Sequence, residues 1–307
     1  MTTMKGVLSP VLTPFKADLS VDVGCLEAQC RWLLGADVGL AIFGTNSEGN
    51  SMSAAERGDV IEQLVAAGID PLRMMPGTSA CALDDAVQMT RVAVRAGVGG
   101  VLVLPPFYYK GVSDDGLFAF FSELIERVGD SALRLYLYHI PPVAQVPLSL
   151  ALIERLLDRW GPVVAGIKDS GGQWDHTAAL IERFAPRGFA VFAGSETFLL
   201  RTLRAGGVGC ISATANVNPA AIAALARDAD ATDADARQQR LDSVRQVFAA
   251  LPMIAAMKQA MADATGLPDW QRLRPPLVGL SPAQRETLRS AMAQAGFRID
   301  ISGVAAA

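Results

Sequence analysis

Short apolar segments alternate with longer amphipathic segments along most of the chain. The short segments predict eight β-strands at residues 7–12, 40–43, 74–76, 100–104, 135–138, 163–167, 190–193 and 209–211. The segments between them carry apolar residues three and four positions apart, which is the spacing of one buried helix face. Up to about residue 230, the pattern therefore predicts eight successive strand–helix units.

Strict alternation of strands and helices requires parallel strands, because each helix returns the chain to the starting edge of the sheet. Strands that are apolar along their whole length are typical of parallel sheets buried on both faces. An open doubly wound sheet and a closed barrel both fit this pattern. The count of eight and the lack of a G-x-G-x-x-G motif in the first turn favour the barrel. We therefore predict a (β/α)8 TIM barrel over residues 1–230.

Residues 231–307 are predicted to form a small C-terminal helical bundle packed beside the barrel. Helical patterns cover residues 236–250, 253–264 and 282–295, and Ser281 with Pro282 and Gln284 is an N-terminal helix signature. Three further helices have no place in a closed ring of eight strands. We therefore expect them to form a separate helical extension.

Composition narrows the function classes. The net charge of −4 and the scattered basic residues make nucleic acid and anionic membranes poor partners. No apolar run reaches the length of a membrane span, and the first residues do not resemble a signal peptide, so we expect a cytoplasmic protein. The four cysteines and two histidines match no zinc pattern, so no metal site is predicted.

In a barrel, the chemistry lies where the strands end, because the βα loops converge there. Lys168 is the unusual residue at these ends, since it directly follows the apolar segment 163–167. Burial of an ammonium is costly unless it is paired or loses its proton, and the neutral amine can form a Schiff base with a ketone. The alternative is a structural ion pair with Asp169 or Glu196.

Tyr138 ends the preceding predicted strand, so its hydroxyl can lie over the same cavity and move protons. Thr45 and Tyr108 could extend this chain of hydroxyl groups. Strand alternation points His139 to the opposite face, where we expect backbone groups to satisfy it. His176 follows a glycine-rich turn and is expected at the surface.

Six short motifs, in this order and spacing, resemble the dihydrodipicolinate synthase/N-acetylneuraminate lyase family of class I pyruvate aldolases. They are VLTPF at 11–15, GTNSEG at 44–49, PFYY at 106–109, YHIP at 138–141, GIKDS at 166–170 and GCISATAN at 209–216. The resemblance extends from Gly6 to Leu288. It implies the same barrel fold and a lysine imine with the substrate, without a metal or organic cofactor.

The resemblance also implies individual roles. Lys168 matches the lysine that forms the imine, and Tyr138 matches the tyrosine that relays protons. Thr45 and Tyr108 match the rest of the relay, with Tyr108 serving a neighbouring subunit of a homotetramer built as a dimer of dimers. The implied substrate-binding residues are Thr45, Asn46, Ser47 and, through its carbonyl, Ile211.

One departure bears on the substrate. Dihydrodipicolinate synthases carry an arginine five residues after the tyrosine, where this chain has Val143. Loss of a bidentate carboxylate donor is not a neutral change. We therefore predict a lyase that acts on pyruvate or a 2-keto-3-deoxy sugar acid by aldol cleavage, condensation or dehydration. The alternatives are dihydrodipicolinate synthase, which uses pyruvate and aspartate semialdehyde, and a non-catalytic regulator that binds a keto acid.

Overall fold

The structure is a computed structural model that describes residues 3–302. Residues 1–2 and 303–307, at the outer ends of the two predicted regions, lie outside the described residues. Seven parallel strands form one sheet in the order β2-β1-β7-β6-β5-β4-β3. They are β1 (Gly6–Ser9), β2 (Gly39–Leu40), β3 (Val101–Val103), β4 (Leu135–His139), β5 (Val164–Asp169), β6 (Ala190–Ala193) and β7 (Gly209–Ile211).

The predicted strand at 74–76 is not a regular strand, but it joins the two edges of the sheet. Met74 forms a single parallel bridge to Leu40 in β2. On the other side, the backbone N–H of Leu102 in β3 donates to the carbonyl of Pro76 at 2.9 Å. A proline has no N–H to donate, which weakens a ladder at this point. The segment nevertheless completes the ring of pairings that the strand–helix alternation predicts.

Twelve α-helices lie within residues 3–302, and none of them combines the length and apolarity needed to cross a membrane. Several begin at a residue whose side chain accepts a hydrogen bond from the first turn, including the predicted capping box at Ser281. The helices are α1 (Val23–Gly35), α2 (Ala54–Ala66), α3 (Leu83–Arg95), α4 (Asp114–Val128), α5 (Pro141–Ala144), α6 (Leu150–Trp160), α7 (Trp174–Phe184), α8 (Leu199–Arg204), α9 (Pro219–Arg227), α10 (Ala234–Ala249), α11 (Met253–Thr265) and α12 (Pro282–Gln294).

The strand that carries the candidate lysine is longer than the apolar segment predicted. It continues to Asp169, so Lys168 is the penultimate residue of β5 and does not follow the strand. The parallel register pairs Lys168 with Tyr138 and Asp169 with His139 in β4. Because strand side chains alternate, the first pair faces the barrel interior and the second faces the helices.

The C-terminal helices share a second apolar core with the carboxyl end of the barrel. Residues of α10, α11 and α12 pack there against Leu12, Cys25, Ala213 and Val217. The helical extension therefore covers the strand ends as well as lying beside them. The division of the chain at residue 230 stays a prediction.

A fully buried ion pair joins the extension to the loop that follows β2. Nζ of Lys258 in α11 donates to Oε1 of Glu48 at 2.7 Å and to the carbonyl of Thr13 at 2.8 Å. The second carboxylate oxygen accepts from the backbone N–H of Arg274 at 2.9 Å. Nζ of Lys258 and the guanidinium carbon of Arg274 each lie 4.6 Å from the centre of the Phe15 ring. Each charge in this cluster has hydrogen-bonding partners, which offsets the cost of burial.

We expect Lys258→Met to lower the free energy of unfolding by about 3–5 kcal/mol, because Glu48 would remain buried without its countercharge. Denaturant unfolding measures this loss. The matched control is Arg289→Met. Arg289 of α12 is exposed and pairs at 3.5 Å with Asp263, which lies on α11 as Lys258 does. That change should cost less than about 1 kcal/mol. Equal losses in the two variants would contradict the prediction.

Candidate active site

Three polar side chains form a continuous contact at the carboxyl end of the barrel. Lys168 is 2% exposed, and its Nζ donates to the Tyr138 hydroxyl at 3.1 Å. The same nitrogen lies 4.2 Å from the centre of the Tyr138 ring. Oγ1 of Thr45 lies 3.2 Å from the same hydroxyl oxygen. The phenol oxygen therefore contacts both an amine and an alcohol, at distances that allow proton transfer.

The surroundings of Tyr138 make its phenol more acidic than an ordinary tyrosine. Burial alone would raise its pKa, because the charged form loses hydration. The Lys168 ammonium and the hydrogen bonds from Thr45, Lys168 and Ser170 oppose this effect and outweigh it, so the pKa of Tyr138 is lowered. A phenol of lowered pKa exchanges protons with a substrate more readily.

Lys168 forms no ion pair with any residue in the range 3–302. Oδ2 of the neighbouring Asp169 contacts Nδ1 of His176 at 3.0 Å and does not pair with Lys168. The carboxylate of Glu196 accepts a hydrogen bond from the hydroxyl of Ser212. The alternative interpretation of Lys168 as part of a structural ion pair with either acid is therefore wrong.

A cavity of about 270 Å³ opens above these side chains. Four of the predicted site residues line it, namely Thr45, Asn46, Tyr138 and Lys168. They come from β4, β5 and the loop after β2, whose strand ends converge as the barrel geometry requires. The remaining walls include apolar side chains, among them Val143 and Phe198.

The other three predicted residues do not line this cavity. Ser47 is fully buried, and its carbonyl accepts from Oγ1 of Thr13 at 2.6 Å. The side chain of Ile211 is buried inside the barrel. Tyr108 is 75% exposed and contacts the ring of Tyr109 edge-on. The roles predicted for Ser47, Ile211 and Tyr108 stay predictions.

Comparison with known proteins decides the family. Residues 3–295 match the model of the dihydrodipicolinate synthetase family. The chain belongs to this family. It is 35% identical to the "uncharacterized DapA-like lyase" of Chloroflexus aurantiacus, over 95% of this chain and 97% of the relative. It is 31% identical to the 4-hydroxy-tetrahydrodipicolinate synthase of Acidiphilium cryptum, over 95% and 98% of the two chains.

Solved structures of the dihydrodipicolinate synthetase family have the same fold. The dihydrodipicolinate synthase of Agrobacterium tumefaciens superimposes with a TM-score of 0.86 at 34% identity, covering 95% of this chain and 99% of the other. YagE of Escherichia coli, solved in complex with pyruvate, also gives 0.86, at 27% identity and the same coverage. The predicted family, the TIM barrel and the class of Schiff-base lyases are thereby confirmed.

Ser170, Gly194 and Arg245 line the cavity of this family member but were not predicted as site residues from the sequence. Ser170 lines the cavity and helps to lower the pKa of Tyr138, and it directly follows β5, so the rule of strand ends could have found it. Gly194 makes room for it, because an added Cβ would lie 2.0 Å from the Ser170 Oγ. Arg245 also lines the cavity, but it comes from α10, far from any strand end.

The turn that carries Thr45 is shaped by its glycines. The N–H groups of Ser47 and Gly49 both donate to the carbonyl of Gly44, at 3.1 and 3.2 Å. A Cβ on Gly49 would lie only 2.0 Å from the carbonyl oxygen of Phe43. Only glycine permits this close approach of two backbone segments. The turn therefore holds Thr45 at the edge of the cavity.

A polar network lies behind Lys168, on the outer face of β4 and β5. Nδ1 of His139 accepts from the backbone N–H of Leu148 at 3.1 Å, which confirms its predicted backbone partner. His176 lies partly at the surface, as predicted, with 27% of its side chain exposed, but it also binds Asp169 at 3.0 Å and stacks on His139 at 4.4 Å, contacts that were not predicted. One potential ligand atom of each of the three side chains lies within 4.8 Å of the others. The hydrogen bonds of His139 to the backbone and of His176 to Asp169 hold the end of β5 in place.

We expect His139 to make stability depend on pH. Burial lowers the pKa of His139 from 6.5 to about 4, so between these values only the unfolded chain binds the proton. The free energy of unfolding should therefore fall by roughly 3 kcal/mol as the pH drops from 6.5 to 4. Denaturant unfolding across this range, compared with His139→Gln, measures the effect. If the two proteins lose stability in parallel, His139 is not responsible.

Proposed function

We propose that this chain acts on a 2-keto-3-deoxy sugar acid, which it cleaves or forms through an imine on Lys168. The observation that carries the proposal is the contact of 3.1 Å between the buried Lys168 amine and the Tyr138 hydroxyl, under an open cavity. The pyruvate bound to YagE, a relative with 27% identity, supports a keto acid as the reacting group.

The first step forms the covalent intermediate. The amine of Lys168, after it has given up a proton, attacks the C2 carbonyl of the keto acid, and the carbonyl oxygen leaves as water after it has gained two protons. The Tyr138 hydroxyl, 3.1 Å from the amine nitrogen, is placed to carry those protons. The protonated imine then withdraws electrons from C3. Because the imine itself is the electron sink, the proposal needs no metal or organic cofactor.

In the cleavage direction, the C4 hydroxyl of the sugar acid loses its proton and becomes the carbonyl of the aldehyde product. The electron pair of the C3–C4 bond moves toward the imine and leaves an enamine. Tyr138 would take the C4 proton and return it to C3, with Thr45 as the next group in the relay at 3.2 Å. Hydrolysis of the resulting imine releases pyruvate and restores the amine.

Thr45 and Asn46 are the proposed partners of the substrate carboxylate, because both line the cavity on the turn after β2. Tyr108 is exposed in the single chain, at 75%, as a residue given to a neighbouring subunit would be. We therefore propose the homotetramer that the family resemblance implies. The cytoplasmic location stays a prediction.

The synthase reaction with aspartate semialdehyde remains compatible with the family, but Val143 counts against it. The Val143 side chain is 61% exposed and lines the cavity, so it offers neither charge nor hydrogen bond where the synthases have an arginine. A catabolic lyase is therefore favoured over the synthase.

Incubation with pyruvate followed by borohydride should add one reduced pyruvate to the intact protein, because borohydride turns an imine into a stable amine. Peptide mass spectrometry should place it on Lys168, and Lys168→Met should remain unmodified. The matched control is Lys16→Met, since Lys16 is exposed and its loss should leave the adduct unchanged. An adduct on a different lysine, or none, would refute the imine.

We expect Tyr138→Phe to lower kcat for pyruvate release from a 2-keto-3-deoxy acid by about 10²- to 10⁴-fold, because the proton relay loses its central hydroxyl. Tyr136→Phe is the matched control, since Tyr136 belongs to the same strand but its hydroxyl accepts a hydrogen bond from the backbone N–H of Met4 at 2.9 Å. It should change kcat only slightly. Steady-state kinetics gives both values, and similar losses would argue against the relay.

A further inference from the structure

Arg245 is a cation that the proposed chemistry does not use. It projects from α10 and is the only arginine that lines the cavity above Lys168 among residues 3–302. Its side chain is 19% exposed, which is low for a guanidinium. Burial of a charged group is costly unless countercharges or hydrogen-bonding groups compensate it.

The partners of Arg245 are few and distant. Nη1 lies 3.5 Å from both Oε2 of Glu196 and Oγ of Ser212, at the outer limit for a hydrogen bond. Nε and Nη2 have no hydrogen bond within the part of the chain that the structure describes. Glu196 does not depend on this contact, because the hydroxyls of Ser212 and Thr214 already donate to its carboxylate. Arg245 thus keeps unused donors beside the cavity.

We propose that Arg245 binds a second carboxylate, at the end of the sugar acid farthest from the imine. The inference rests on the proposed function and names its substrate class, a 2-keto-3-deoxy acid with a carboxylate at each end. The planar fork of a guanidinium matches a carboxylate through two parallel hydrogen bonds. Arg245 contacts residues after β6 and β7, whereas Thr45 and Asn46 follow β2. Two groups suited to anions therefore reach the cavity near different strand ends, Arg245 from helix α10 and Thr45 with Asn46 from the loop after β2.

The neighbouring acid favours a carboxylate over a phosphate. The carboxylate of Glu196 lies 3.5 Å from the guanidinium and already offsets part of its charge. A phosphate monoester carries nearly two negative charges at neutral pH, so Glu196 would repel it more strongly than a carboxylate. The cavity also has no second arginine within residues 3–302 to compensate that charge.

The test compares three substrates that differ only at C6. The first is a 2-keto-3-deoxyhexonate, in which C6 is a hydroxymethyl group. In the second compound C6 is a carboxylate, and in the third the C6 hydroxyl carries a phosphate. Pyruvate release gives kcat and KM for the wild type, Arg245→Gln and Arg245→Lys. Arg240→Gln is the matched control, because Arg240 lies on the same helix α10 and is exposed.

The wild type should prefer the carboxylate compound. Arg245→Gln should raise its KM by about 10- to 100-fold, since a charge-assisted pair is lost. The KM of the hydroxymethyl compound should change by less than about 3-fold, because that group offers no charge to the guanidinium. Arg245→Lys should restore part of the preference, and Arg240→Gln should behave as the wild type. This pattern would support the assignment.

Other outcomes would overturn it. Equal losses with all three compounds in Arg245→Gln would show that the arginine only supports the fold. A wild-type preference for phosphate or hydroxymethyl would assign a different substrate. Pyruvate trapping at Lys168 without turnover of any compound would refute the substrate class and keep the imine. Failure of trapping itself would refute the proposed function, and the role of Arg245 with it.

Discussion

The parallel register of β4 and β5 sets Tyr138 directly beside Lys168, and the candidate chemistry depends on that pairing. Because strand side chains alternate with a period of two, a shift of one residue would bring His139 or Leu137 opposite the lysine. The phenol would then lose its contacts of 3.1 Å to Lys168 and 3.2 Å to Thr45. The same contacts lower the pKa of Tyr138 against the opposing effect of burial. The acidity of Tyr138 therefore depends on the strand register.

The register also organises the opposite face of the two strands. It pairs His139 with Asp169, whose carboxylate accepts hydrogen bonds from His176 at 3.0 Å and Thr177 at 2.7 Å. His139, Asp169 and Thr177 are buried, His176 is partly buried, and all four have hydrogen-bonding partners, which makes the network costly to rearrange. A reactive lysine gains from such a support, because its backbone cannot move without breaking the network next to it. The inner face thus supplies the reactive groups, and the outer face fixes where they stand.

The sequence predicted the parts of this arrangement that follow from local periodicity. Alternating apolar segments indicated the barrel, and the residues at their ends included Lys168, Tyr138 and Thr45. Periodicity could not show that segment 74–76 forms only bridges, because pairing depends on both neighbouring strands. It could not show that His176 binds Asp169, since that contact spans a turn and a strand end. Arg245 has no local signal, because a long-range packing of α10 brings it to the cavity.

The proposed role of Arg245 separates the residues that carry out the imine chemistry from the residue that selects the substrate. Lys168 and Tyr138 stand on strands whose register leaves little freedom, so the imine chemistry can persist while the substrate changes. Val143, at the position where the family resemblance implies an arginine in the synthases, is exposed and carries no charge, whereas the guanidinium of Arg245 reaches the cavity from α10. Moving a bidentate donor from one wall of a cavity to another changes where a second anion can bind, and hence the length and shape of the acid that fits. With the role proposed for Arg245, helix α10 outside the barrel contributes to the specificity of a reaction carried out inside it.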